Sequence, residues 1–289
     1  MNNATILVLL FLVTFSTGTS DVVKKEYAVS PGGTLHLDMG RGNIEVEVTN
    51  KDRVFIELER KVKANDRRTE EEILESHEYS FDKRGDDVYG RSRVNQGRLW
   101  GLRQRSPIRV RLSVRVPSEY NVVFTNGAGN VEVTDVKGLV EGTTGAGNIT
   151  LEDINGTVEV TSGAGNIRVS GGIANAVATT GAGNVKIYGL QGEVTATTGT
   201  GNIDATILQQ PESGARAHFS SGAGNVVVTL ADDVGVNVHA KTNLGNAACE
   251  FPLEISKEFL SRTFSGSVNG GGAELEMHAG VGNVKLKRL

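Results

Sequence analysis

Gly145-Ala146-Gly147-Asn148-Ile149-Thr150-Leu151 and Gly163-Ala164-Gly165-Asn166-Ile167-Arg168-Val169 are successive copies of one pattern. Its asparagine recurs at Asn130, Asn148, Asn166, Asn184 and Asn202, each 18 residues after the one before. Looser copies carry Asn225, Asn246 and Asn283, and an early one reads Gly40-Arg41-Gly42-Asn43-Ile44. Equal spacing of identical residues marks a repeat architecture and outranks every other signal in the chain.

The columns of the repeat give its local structure. After each asparagine come alternating apolar positions, Val131/Val133, Ile149/Leu151, Ile167/Val169 and Val185/Ile187, separated by Glu132, Thr150, Arg168 and Lys186. Period-two alternation means a strand with one buried face. Val140, Val158/Val160, Ala176/Ala178 and Val194/Ala196 mark a second short strand, with Glu141, Glu159 and Thr195 facing water. Gly138, Gly156 and Gly192 punctuate the turn between the two strands, and Asn155-Gly156 is a tight-turn pair.

The Gly-Ala-Gly corner needs positive φ or close backbone approach, which glycine supplies without steric cost. Alanine is expected to point inward there, and asparagine to tolerate the left-handed region and bond a neighbouring backbone. Stacked one per repeat, Asn130, Asn148, Asn166, Asn184, Asn202 and Asn225 are expected to form an amide ladder. Thr143, Thr161, Thr179 and Thr197 form a second column. One unit cannot bury its apolar face alone, so the units must stack. The fold expected is all-β: a single-stranded parallel β-helix, or β-solenoid, with about 18 residues per rung and regular rungs over 126–241. A sandwich of short hairpins is the alternative, since glycine and asparagine suit hairpin turns too.

The N-terminal third is less regular. Thr34–Leu37, Ile44–Val48, Val54–Val62 and Ile108–Val116 read as strands, while Thr69-Glu70-Glu71-Glu72 before Ile73-Leu74 predicts a short helix over about 70–78. Residues 83–106 read as a loop. The helix and loop, about 64–106, are expected as an insertion that caps the open end of the solenoid. Residues 1–20 read as a signal peptide: the apolar run 4–15 is followed by Ser16-Thr17-Gly18-Thr19-Ser20, and cleavage fits after Gly18 or Ser20. A buried strand or an uncleaved anchor are the other readings of that run. After signal removal no transmembrane segment is expected over 21–289, the solenoid domain.

Composition fits this frame. The 289 residues include 37 Gly but only 5 Pro, which excludes collagen, and aromatics are 5%, so the core is aliphatic. Cys249 is the only cysteine, so no internal disulfide is possible; it reads as a small core residue. Ten Lys/Arg and two Asp fall within 83–115, against five Lys/Arg and thirteen Asp/Glu within 116–253.

The repeated Gly-x-Gly-Asn-Val/Ile units from Gly127 to Val226 resemble those of the bacterial putative-adhesin family of unknown function, related to head-GIN domains. Val116-Pro117, Gly266-Ser267-Val268-Asn269-Gly270-Gly271-Gly272, Leu275 and Gly282-Asn283-Val284 carry the resemblance further, over roughly 35–289. It implies a parallel β-solenoid in or on the cell envelope.

Catalytic chemistry finds little footing in the sequence. Calcium β-rolls need an aspartate where Ile149 and Val185 stand. A glycan-cleaving β-helix needs paired carboxylates on adjacent rungs, and only Glu141 and Glu159 stack, which reads as a solvated face. His36, His77, His218, His239 and His278 show no metal-ligand spacing. Arg84-Gly85-Asp86 is a chance tripeptide in a charged loop. Arg109, Arg111 and Arg115 are expected to face Glu57 and Glu59 across adjacent strands. Arg98, Trp100, Arg103 and Arg105 are the candidate partner-binding residues, an arginine cluster around the lone Trp. The function expected is that of an exported, non-enzymatic cell-envelope protein, periplasmic or extracellular, acting as an adhesin-like binding or scaffolding solenoid. Its partner would be an envelope protein or glycan, with no nucleic acid and no cofactor. The alternatives are an envelope-stress regulator working through a membrane partner, with 83–115 as the contact, and a glycan-active β-helix enzyme.

Overall fold

The computed structural model describes residues 20–62, 67–94, 108–189, 191–210 and 214–289, with helix side chains from residue 70 onward. Strands β1 (Ser20–Ala28), β2 (Thr34–Met39), β3 (Asn43–Thr49) and β4 (Arg53–Val62) lead to helix α1 (Arg67–Glu75). There follow β5 (His77–Arg84), β6 (Asp87–Val94), β7 (Ile108–Pro117), β8 (Asn121–Ala128), β9 (Val131–Thr134), β10 (Lys137–Ala146) and β11 (Ile149–Glu152). The repeats continue as β12 (Asn155–Ala164), β13 (Ile167–Ser170), β14 (Ala174–Ala182), β15 (Val185–Tyr188), β16 (Val194–Thr200), β17 (Ile203–Ile207), β18 (Arg216–Ala223) and β19 (Val226–Leu230). Last come β20 (Val236–Leu244), β21 (Ala247–Cys249), β22 (Ile255–Lys257), β23 (Arg262–Val268), β24 (Ala273–Val281) and β25 (Val284–Arg288).

Two sheets face each other. One runs β1-β4-β7-β3-β9-β11-β13-β15-β17-β19-β25-β21, the other β22-β23-β20-β24-β18-β16-β14-β12-β10-β8-β2-β6-β5. From β8/β9 to β18/β19 each layer sends one strand to each sheet, in parallel with the next. Identical positions pair: Val140 with Val158, Thr143 with Thr161, Ile149 with Ile167. Parallel pairing in this register rules out the sandwich of hairpins for the repeat region.

The core lies between the sheets as stacked columns. Val131, Ile149, Ile167, Val185, Ile203 and Val226 are all buried in one of them. Each such side chain contributes about 1.5–3 kcal/mol on leaving water. Neighbours within a column compensate in volume. Gly142 sits inward beside Phe124, and a Cβ there would fall 2.3 Å from that ring. Phe219 in turn lies in register with Ala196. Large residues therefore spread over small neighbours, which keeps the thin interior filled.

At both ends the layers depart from chain order. The pair β6/β7 stacks outside β2/β3, so the first layer formed is flanked on both sides by later ones. At the other end β24/β25 inserts between β18/β19 and β20/β21. Antiparallel strands then cover the ends: β4 and β1 beyond β7, β5 beyond β6, β23 and β22 beyond β20. This covers the parallel edges of β7, β6 and β20, while the first sheet ends at the other side on the three-residue β21. The N-terminal cap is pinned by the buried Arg60, which ion-pairs Asp21 on β1, donates to the Leu74 carbonyl of α1 (3.1 Å) and lies over the Tyr79 ring of β5.

Two expectations need correction here. The helix begins at Arg67, so Thr69 lies inside it and is not its cap. Residues 83–94 are not loop: they form the end of β5, a Gly85-Asp86 turn and β6. The alternation Val88/Gly90/Ser92, with small residues at two of its three buried positions, lacks the apolar signal of a strand.

Gly147 tests the close stacking. Its φ is +152°, and a Cβ there would sit 2.1 Å from the Gly129 carbonyl oxygen of the layer below. Gly147→Ala should cost roughly 3 kcal/mol or more in a urea unfolding measurement. Ala146→Ser next to it, at an exposed position, should stay within about 0.5 kcal/mol of the parent.

Candidate functional site

The repeat corner is built from the asparagines upward. The backbone N–H of each one donates to the side-chain Oδ1 of the asparagine in the layer beneath. The distances are Asn130 to Asn43 3.1 Å, Asn148 to Asn130 3.0 Å, Asn166 to Asn148 2.9 Å, Asn184 to Asn166 2.9 Å and Asn202 to Asn184 2.8 Å. The series continues through Asn225, Asn283 and Asn246 at 2.9 Å each, following the stack and not the chain order. Side-chain amides add a second donor to the same oxygen at Asn166, Asn202, Asn225 and Asn283. The ladder thus joins the two expected bonds, to a neighbour's backbone N–H at every layer and amide to amide at four of them. Glycine takes the positive φ at this corner, and these asparagines do not. The corner alanines Ala146, Ala164 and Ala182 point outward and are exposed, the reverse of the expected inward packing.

A second column escaped the sequence reading. Thr144, Ser162, Thr180, Thr198, Ser221 and Thr242 are buried in the core face. Each hydroxyl donates to a glycine carbonyl at the corner of an adjacent layer: Ser162 to Gly147 3.0 Å, Thr180 to Gly165 2.8 Å, Thr198 to Gly183 2.8 Å, Ser221 to Gly201 2.8 Å, Thr242 to Gly282 2.6 Å and Thr144 to Gly129 3.5 Å. The signal was available, since a hydroxyl or amide residue directly precedes each Gly-x-Gly at Asn126, Thr144, Ser162, Thr180, Thr198 and Ser221. One position earlier, Thr125, Thr143, Thr161, Thr179, Thr197 and Ser220 pair in register along the outer face. Thr125, Thr143 and Thr161 are exposed there.

Charged groups spend themselves locally. Arg111 bonds Glu45 at 2.7 Å, which raises its pKa, and Arg93 and Arg91 share Asp38. Arg115 lies over the Phe55 ring at 5.0 Å, and Arg109 stands opposite Lys61. The expected facing of these arginines with Glu57 and Glu59 therefore holds only in register, for Arg111 opposite Glu59. Glu57 pairs instead with Lys24. Arg98, Trp100, Arg103 and Arg105 lie outside the described residues, as do residues 1–19 of the signal segment.

Glu141 and Glu159 sit side by side on an outward, exposed face. Asp86 of the Arg-Gly-Asp tripeptide is tied into the fold, its Oδ1 accepting from the Ser30 N–H at 2.9 Å and its carbonyl from the Tyr120 hydroxyl. Cys249 is half-buried against the core, and burial raises its pKa, which is the opposite of a poised nucleophile. Among the described residues no cluster of three or more His, Cys, Asp or Glu is arranged to hold a metal. No described helix is long and apolar enough to cross a membrane. His77 is buried between β5 and β6 with Nε2 2.7 Å from the Ser92 hydroxyl; burial first, and then the Arg60 charge, lowers its pKa to about 4.

With this corner geometry in place, the family model described as Toastrack DUF4097 matches residues 33–287. The chain belongs to the Toastrack DUF4097 family. A solved structure described as a putative adhesin from Bacteroides fragilis NCTC 9343 aligns over 92% of this chain and 97% of its own, at 12% identity and a TM-score of 0.52. A putative cell adhesion protein from Clostridium sporogenes ATCC 15579 aligns over 93% and 100%, at 13% identity and a TM-score of 0.31. A putative adhesin from Parabacteroides merdae ATCC 43184 aligns over 94% and 98%, at 8% identity and a TM-score of 0.27. No curated protein matches. The Bacteroides likeness bears on the fold of this Toastrack chain.

Two measurements probe the corner and the cap. Thr180→Val, which removes a buried donor to Gly165, should lose about 1–2 kcal/mol in urea unfolding, while Thr179→Val on the outer face should change stability by less than about 0.5 kcal/mol. His77 is neutral when folded, and the unfolded chain takes up its proton near pH 6.5. Its contribution is therefore complete above pH 6.5 and shrinks as pH falls towards 4, by up to about 3 kcal/mol. His77→Phe should flatten that segment of the urea midpoint against pH.

Proposed function

We infer that this Toastrack protein is an exported, non-enzymatic component of a bacterial cell envelope, a binding or scaffolding solenoid whose working unit is an 18-residue turn. One observation carries the reading. A small hydroxyl side chain recurs at one-strand spacing on an outer face, from Thr125 through Thr143, Thr161, Thr179 and Thr197 to Ser220. A ligand that is itself repetitive, such as an envelope glycan, gains one equivalent contact per layer from such a face, which a single small molecule does not. The described acidic pair on that face, Glu141 and Glu159, stands on open sheet surface, where neither water nor leaving group would be enclosed. The adhesin description of the Bacteroides relative and the apolar segment 4–15 support the placement in the envelope.

The regulator reading draws less support. It assigned partner capture to the basic segment 83–115, and within the described part Arg84, Arg91, Arg93 and Arg111 are ion-paired inside the chain.

Expression in a bacterial host followed by fractionation and N-terminal sequencing tests the export. The mature chain should begin at Thr19 or Asp21 in the envelope or medium; retention in the cytoplasm with Met1 in place would contradict the reading. Purified protein incubated with envelope polysaccharides should release no new reducing ends and should be retained on at least one of them. Thr143→Lys/Thr161→Lys should weaken that retention by about tenfold, the scale of one lost contact per layer.

A further inference from the structure

Beyond this reading, one end of the molecule carries a surface of a different kind. β22 and β23 form the outermost hairpin of their sheet, joined by Glu258-Phe259-Leu260-Ser261. Phe259 is 95% exposed and Leu260 56%. Every other described phenylalanine is buried or half-buried, and Phe251 and Phe264 of this same end are closed into its cap. Leu244 and Val281, exposed at 48% and 55%, pair with each other at the adjoining corner. An open groove of about 450 Å³, lined by Leu244, Phe259 and Leu260, joins tip and corner. Four of the molecule's exposed large apolar side chains thus collect at one corner of one end.

The charges around the tip indicate what covers it. Lys257 and Arg262 pair across the hairpin directly behind Phe259 and Leu260. The Arg262 guanidinium is held by the Glu258 and Ser261 carbonyls, and neither cation meets a carboxylate among the described residues. Lys241 is exposed on the neighbouring strand β20. The acid within the tip, Glu258, accepts a hydrogen bond from the Ser261 hydroxyl at 3.0 Å. Even the four apolar side chains of tip and corner fall well short of the roughly 20–30 residues and about 800 Å² per partner of a stable protein interface. They suit shallow insertion at a headgroup boundary, with flanking cations at phosphate level.

We propose that the Glu258–Ser261 tip is a membrane contact that inserts Phe259 and Leu260 into an anionic lipid surface, with Lys257, Arg262 and Lys241 facing the phosphates. The proposal rests on the envelope reading only in bringing lipid within reach; vesicle binding by purified protein is read separately from export. In a Trp100→Phe chain, Phe259→Trp reports the tip alone. Its emission should shift to the blue on adding phosphatidylcholine vesicles containing about one-third phosphatidylglycerol, less so without the anionic lipid, and the shift should weaken with salt. Phe259→Ser/Leu260→Ser should keep the parental urea midpoint and bind these vesicles at least tenfold more weakly in co-sedimentation. Lys241→Glu/Lys257→Glu should lose the preference for anionic vesicles. An unshifted indole emission from the Phe259→Trp chain, or co-sedimentation unchanged by the double serine variant, overturns the proposal. So does a blue shift that follows protein concentration without lipid, which would assign the tip to a second copy of the chain.

Discussion

A single hydrogen bond, from an asparagine backbone N–H to the side-chain oxygen of the asparagine one layer below, sets the geometry on which the rest of the molecule depends. It forms only if successive layers meet in register, and that register brings Gly147 against Gly129 and Gly165 against Gly147 at distances no Cβ would permit. The same proximity lets the buried hydroxyls of Ser162 and Thr180 reach the corner carbonyls. Glycine, asparagine and the buried hydroxyl are three parts of one device that gives the polar backbone of a sharp corner its partners within the chain. The aliphatic columns then supply the larger share of the stabilisation, in a core only two side chains thick.

The ends show what stacking alone leaves unsolved. A column of parallel strands presents an unpaired edge at each terminus; here each end moves a layer out of chain order, and antiparallel strands are added to both sheets at the N-terminal end and to one sheet at the other. The ladder follows that rearrangement: Asn283 sits between Asn225 and Asn246, although it comes last in the chain. The final strands β24 and β25 thus lie between β18/β19 and β20/β21 and pair with both, which ties the layers of the C-terminal region together.

Much of this architecture was legible in the sequence, because a two-residue alternation repeated at fixed spacing leaves few arrangements open. The strands at Val54–Val62 and Ile108–Val116 fall where alternation placed them, within a residue of the observed β4 and β7. The asparagine column could be read from equal spacing, but not which atoms it joins, since that depends on whether the side chain lies along the stack or across it. The outward turn of Ala146 and Ala164 was missed for a related reason: alanine fits either side, and only the backbone course at the corner decides. The β5–β6 hairpin was hidden by Gly90 and Ser92 at buried positions, where neighbours such as Phe81 and Leu37 fill the space. The order of layers at the ends is invisible to periodicity, which counts repeats but does not say beside which one a late copy inserts. For the candidate site the same limit applies to Phe259 and Leu260: two apolar residues in a loop become notable only once the fold leaves them uncovered.

The functional consequence is a molecule of repetitive faces with two different ends, one tied together by Arg60, the other apolar at its tip. The most direct test of the central hydrogen bond is a through-bond scalar coupling in deuterated, ¹³C,¹⁵N-labelled protein, between the backbone nitrogen of Asn166 and the side-chain Cγ of Asn148. A resolved coupling is expected there and at Asn184–Asn166 and Asn202–Asn184. Absence of all three, together with cross-strand contacts of antiparallel hairpins in the 126–207 region, would contradict the stacked-layer geometry.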